Sequence, residues 1–79
     1  WLLDPNDPVE RAAVERLSEQ MVQRALRLEG TCSGEHGIGL HKMGYLLDEA
    51  GAGAVAMMRQ VKRALDPKNI MNPGKVFAL

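Results

Sequence analysis

The sequence predicts an α+β fragment that is mostly helical: two amphipathic helices with a short strand and a glycine-rich loop between them. Three observations carry this. Val14, Leu17, Met21, Ala25 and Leu28 recur at spacings of three and four, which makes one apolar helical stripe. Val55, Met58, Val61 and Leu65 repeat the pattern late in the chain. Between them, Gly30, Gly34, Gly37 and Gly39 punctuate a stretch too broken for a helix.

Each element has its own signals. Asp4-Pro5-Asn6-Asp7-Pro8 is turn chemistry. Asp7 suits an N-cap, Pro8 the first helical position, and Glu10 sits at capping-box spacing from Asp7. The first helix is expected from about Pro8 to Leu28. Val22 and Leu26 widen its stripe, and Arg11, Glu15, Glu19, Gln23 and Arg27 form a solvated face. Gly30 suits the left-handed residue that closes the helix. Thr31-Cys32-Ser33 is expected as a short strand, and Ile38 and Leu40 alternate with glycines as a half-buried extended segment would. Lys42 to Glu49 reads as a short helix or turn. Ala50-Gly-Ala-Gly53 interrupts it before a second clear helix from about Ala54 to Leu65. Arg59, Lys62 and Arg63 lie late in that helix, where cations complement its dipole or offer an anion site. Pro67 disfavours helix at Asp66. Pro67 to Ile70 is a turn, and Asn72-Pro73-Gly74-Lys75 has the proline and glycine of a type II turn.

Bulk properties narrow the function. Seventy-nine residues make one small domain at most, and such a chain buries only about 60% of its unfolded surface. Ten basic residues balance ten acidic ones, which argues against a nucleic-acid binder. The single cysteine, Cys32, excludes an intrachain disulfide. No apolar run approaches the ~18 residues of a membrane helix. The chain starts at Trp1 rather than methionine and has only three aromatic residues, Trp1, Tyr45 and Phe77. A fragment of a larger protein, borrowing core from the remainder, is expected.

The chemistry gathers in Gly30-Thr-Cys-Ser-Gly-Glu-His-Gly-Ile-Gly-Leu-His-Lys42, where a carboxylate, two imidazoles and a thiol sit among four glycines. Cys32, Glu35, His36 and His41 are all potential metal ligands. Their order matches neither His-Glu-x-x-His nor its inverse, and Gly34 and Gly37 oppose the helix those motifs need. A partial site remains, with Glu35 as one ligand. The glycines form neither a dinucleotide fingerprint nor a Walker loop. His36 is either a structural histidine bonded to backbone or a base, since an imidazole titrates near neutrality and can take a substrate proton. Glu35 and His36 are adjacent, so both can address one substrate only if the backbone turns there, which the glycines permit. Cys32 and His41 read as structural.

Two segments bear a family resemblance. Gly30-Thr-Cys-Ser-Gly-Glu-His-Gly-Ile-Gly resembles the Gly-x-x-x-Gly-Glu-His-Gly-Ile-Gly segment of FAD-linked 2-hydroxy-acid dehydrogenases, and Val61-Lys-x-Ala-Leu-Asp-Pro-x-x-Ile-Met-Asn-Pro-Gly-Lys75 resembles their C-terminal end. The resemblance covers about Arg27 to Phe77 and is nearest to the D-lactate dehydrogenase (cytochrome) and glycolate oxidase FAD-subunit group. It implies an enzyme of several hundred residues, with an FAD-binding domain of the vanillyl-alcohol-oxidase type followed by a cap domain. Residues 1–79 would be the C-terminal segment of that cap. The FAD-binding domain lies outside this chain, so the isolated segment is expected to be inactive.

The same resemblance implies roles. His36 matches the active-site histidine and Glu35 a metal-ligand carboxylate, the metal being divalent, of zinc or manganese type. Asn72 and Lys75 match the turn near the flavin pocket and are the candidate FAD contacts. The implied reaction takes a D-2-hydroxy acid to its 2-oxo acid, His36 accepting the hydroxyl proton while hydride passes to FAD. Implied partners are the 2-hydroxy-acid substrate, the rest of the enzyme, an electron-acceptor protein and a second copy in a homodimer, with no nucleic acid. The implied compartment is cytoplasmic or peripheral to a membrane in a bacterium and mitochondrial in a eukaryote. A small helical interaction module without catalysis, or an anion-binding domain built on the glycines, is the alternative.

Overall fold

The start of the first helix follows from its sequence. In the computed structural model, which describes residues 2–79, the Asp7 carboxylate accepts from the amides of Val9 (3.0 Å) and Glu10 (3.3 Å). Pro8 at the first position loses nothing, because its missing N–H would have had no helical partner. Helix α1 spans Pro8–Arg27. The amide of Asp7 donates to the Asp4 carbonyl (3.1 Å), so only the aspartate half of the capping box forms.

The end of α1 departs from expectation by one residue. Glu29, not Gly30, takes the left-handed conformation, with φ 62°. The Glu29 amide donates to the Leu26 carbonyl (3.1 Å) and the Gly30 amide to the Ala25 carbonyl (2.7 Å), the two bonds of a Schellman motif. Gly30 is required for space instead: a Cβ there would lie 2.9 Å from the Ala25 carbonyl oxygen. The α1 stripe also centres differently. Val22 is buried and Val14, Ala25 and Leu26 are half-buried, while Leu17, Met21 and Leu28 are exposed.

The chain divides into two compact units, the first ending at Thr31 and the second being Cys32–Leu79. The expected strand at Thr31-Cys32-Ser33 is absent, and no strand occurs among the described residues, so the fragment is mostly helical rather than α+β. The cause is local. The Cys32 amide, which a strand would offer to a neighbouring backbone, donates to the Glu49 side chain (3.1 Å). Positive φ at Gly37 (73°) and Gly39 (55°) then breaks the extended run expected around Ile38.

Helix α2 spans Met43–Leu65. The expected interruption lies within it: Gly51 has φ 85° and ψ 163°, a region open essentially to glycine alone, and the helix resumes at once. Leu46 and Val55 are buried, whereas Val61 and Leu65, expected on the buried side, are exposed. An amphipathic helix buries its stripe only against a facing layer, and this short chain has few layers to offer. No helix among the described residues is long and apolar enough to cross a membrane.

Beyond α2 the tail is fastened back onto its own unit. Asp66 ends the helix, its carbonyl accepting from the Asn69 amide (3.0 Å). Arg59 donates to the Ala78 carbonyl and Lys62 to the Met71 carbonyl (2.6 Å). Two of the three cations expected to complement the helix dipole, Arg59 and Lys62, thus hold the tail.

Candidate active site

The glycine loop turns at the two candidate side chains, Glu35 and His36. The Gly37 amide donates to the Gly34 carbonyl (3.2 Å), closing a turn with Glu35 and His36 at its corners. In a strand these neighbours would face opposite ways. Here His36 Nε2 comes within 3.3 Å of Glu35 Oε1, so imidazole and carboxylate share one side. Both side chains are more than four-fifths exposed, which leaves them open to groups outside this chain.

The other two candidates of the loop are separate from this pair. Cys32 is buried, its Sγ 3.8 Å from Glu49 Oε2. Burial first, and then the neighbouring Glu49 carboxylate, pushes its thiol above the ordinary value. His41 is exposed. Glu49 escapes sequence reasoning, because its bond to Cys32 spans seventeen residues and leaves no local pattern.

A backbone bond joins the tail to the loop. The Val76 amide donates to the Gly39 carbonyl at 2.7 Å, bringing the segment after Lys75 against the segment after His36. The Pro73-Gly74 turn forms, with Gly74 at φ 73°. Asn72 and Lys75 flank it, and together with Lys62, Asn69 and Phe77 they line a hollow of about 160 Å³.

Two cofactors were expected, and the residues can be compared with each. A divalent metal needs four or more ligands. Glu35 and His36 supply two donors, and no group of three or more His, Cys, Asp or Glu side chains suited to a metal occurs among the described residues. The described residues therefore hold no more than part of a metal site. The tail hollow offers an amide and an ammonium group, suited to polar or anionic parts of a cofactor, but it is smaller than the ~300 Å³ at which ordinary ligand pockets begin. A hollow of this size holds part of such a cofactor at most.

Residues 1–76 match the family described as FAD linked oxidases, C-terminal domain. The chain is 50% identical over 78 residues to a probable mitochondrial D-lactate dehydrogenase of Danio rerio, covering 99% of this chain and 16% of that protein. It is 53% identical over 70 residues to the mitochondrial D-lactate dehydrogenase [cytochrome] of Kluyveromyces lactis, covering 89% and 12%. It is 42% identical over 72 residues to glycolate oxidase subunit GlcD of Bacillus subtilis, covering 91% and 15%. The chain thus spans about a sixth or less of the length of these relatives.

Proposed function

The chain belongs to the FAD linked oxidase C-terminal domain family, and from that premise we propose that it closes the cap domain of a flavin-dependent dehydrogenase acting on a D-2-hydroxy acid. The observation that carries this reading is the turn at Gly34 to Gly37. It holds a carboxylate and an imidazole together on an exposed face, an arrangement that core packing does not call for.

In this reading the His36 imidazole accepts the proton of the substrate hydroxyl as the carbinol carbon is oxidised to a carbonyl. FAD, when bound, supplies the acceptor for the two electrons and the hydrogen leaving that carbon. Glu35 contributes one carboxylate to a divalent metal whose other ligands come from protein outside this chain. Asn72 and Lys75, on the turn fastened beside the loop, contact the cofactor from the tail side. Lactate and glycolate, the acids in the names of the relatives, are the first substrates to consider. The name of the K. lactis enzyme supports a cytochrome-type electron acceptor, and the eukaryotic relatives support a mitochondrial site in a eukaryote.

The exposed apolar residues Val61, Leu65, Ile70 and Met71 fit the same reading, as surface that meets the rest of the enzyme. The direct experiment is to assay the full-length protein with D-lactate, glycolate and D-2-hydroxyglutarate and an artificial electron acceptor. FAD-dependent oxidation of at least one is expected. Absence of activity on every 2-hydroxy acid would sink the proposal.

A further inference from the structure

Val76 is the most strained residue of the tail. It is β-branched, yet its φ is 71°, a region that such residues essentially avoid. The Phe77 amide donates to the Lys75 carbonyl at 2.8 Å across it. A bond of that span with positive φ at the centre is the rare form of the γ-turn. Strain of this kind persists only where the surroundings over-determine it. Here they do: Lys62 holds the Met71 carbonyl on one side of Val76, and Arg59 holds the Ala78 carbonyl on the other. The side chain of Val76 is not what fixes it, since the residue is about a third exposed. The γ-turn instead aims the Val76 amide at the Gly39 carbonyl.

Gly39 lies three residues beyond His36, and its own φ is 55°. The loop is pinned at its start by the Gly37 to Gly34 bond and at its end by Val76. We propose that Val76 is a positioning residue for His36: its backbone N–H, aimed by the γ-turn, fixes the loop that presents the imidazole to substrate. This rests on the reading that His36 takes the substrate proton. It couples the cofactor-side turn, Asn72 to Lys75, to the proton-accepting loop through one backbone bond.

Two substitutions in the full-length enzyme separate the N–H from the side chain. Val76→Gly keeps the donor and adopts positive φ without strain. Val76→Pro removes the donor and forces φ to about −65°. Val76→Gly should retain more kcat than Val76→Pro does. Val76→Pro should lower kcat about ten- to a hundredfold, the scale of a small misplacement of a catalytic group, with KM and FAD content unchanged. Equal kcat in the two variants overturns the inference. If Val76→Pro fails to fold or loses FAD, residue-resolved hydrogen exchange on the parent enzyme decides: a protected Val76 amide supports the bond, and free-chain exchange overturns it. The two readings fail differently. A protein that oxidises no 2-hydroxy acid removes both, whereas an enzyme that needs His36 but is indifferent to Val76→Pro removes this inference alone.

Discussion

Lys62 and Asp66, one helical turn apart at the end of α2, clasp the same residue beyond the helix. The Lys62 ammonium donates to the Asp66 carboxylate and also to the Met71 carbonyl (2.6 Å). The same carboxylate accepts from the amides of Met71 (2.9 Å) and Ile70 (3.1 Å). The chain leaves the helix, doubles back and is tied down before it reaches Asn72.

This clasp depends on an ionised carboxylate. The hydrogen bond from Lys62 is the main cause that lowers the Asp66 carboxyl below its ordinary value of 3.8; the amides of Met71 and Ile70 add to it, against the opposing effect of burial. A lowered carboxyl stabilises the fold fully above its ordinary value and loses that contribution as pH falls through the lowered one. In the full-length enzyme, the carboxyl carbon resonance of Asp66 should therefore titrate with a midpoint below 3.8. A midpoint above it would contradict the clasp. At neutral pH, Asp66→Asn should speed exchange of the Ile70 and Met71 amides.

The kink in α2 gives a backbone test. Gly51 occupies a conformation that costs other residues about 1–3 kcal/mol, and nothing within 4 Å would obstruct a Cβ. Gly51→Ala should lower the thermal midpoint of the enzyme through backbone strain alone. An unchanged midpoint would mean that the helix runs straight through.

Much of the first helix can be read directly, because Asp7, Pro8 and the apolar spacing act within a few residues of one another. The turn at Pro73-Gly74 is readable for the same reason. The strand expected at Thr31 to Ser33 does not form for a reason that is not local, because the Cys32 amide is taken by Glu49, seventeen residues away. Val76 is the extreme case: no local preference puts a β-branched residue at positive φ, and only the bonds of its neighbours to α2 and its own bond to Gly39 account for it. Glu35 and His36 could be named from the sequence, but their shared orientation depended on a turn that the glycines only permitted.

Cys32 offers a chemical test of the Glu49 contact. Burial and the Glu49 carboxylate both keep the thiol protonated above its ordinary value of 9.0. Glu49→Gln removes the charge, so more thiolate forms and alkylation at pH 8 should run several-fold faster. An unchanged rate would show that Glu49 does not act on Cys32 in solution.

The metal proposal stands on Glu35. In the full-length enzyme, Glu35→Gln should lower the bound divalent metal measured by elemental analysis, and chelation should lower activity in the parent enzyme. Metal content equal to that of the parent would remove Glu35 from the ligand set.

The proposed role of His36 is to take the substrate proton. Its most direct test is the single-turnover rate of flavin reduction by D-lactate, or by whichever 2-hydroxy acid proves best, in full-length enzyme carrying His36→Asn. Loss of a general base slows the chemical step by about 10²–10⁴-fold. A fall of that order is expected, with FAD still bound in full. Flavin reduction at the parent rate would contradict it.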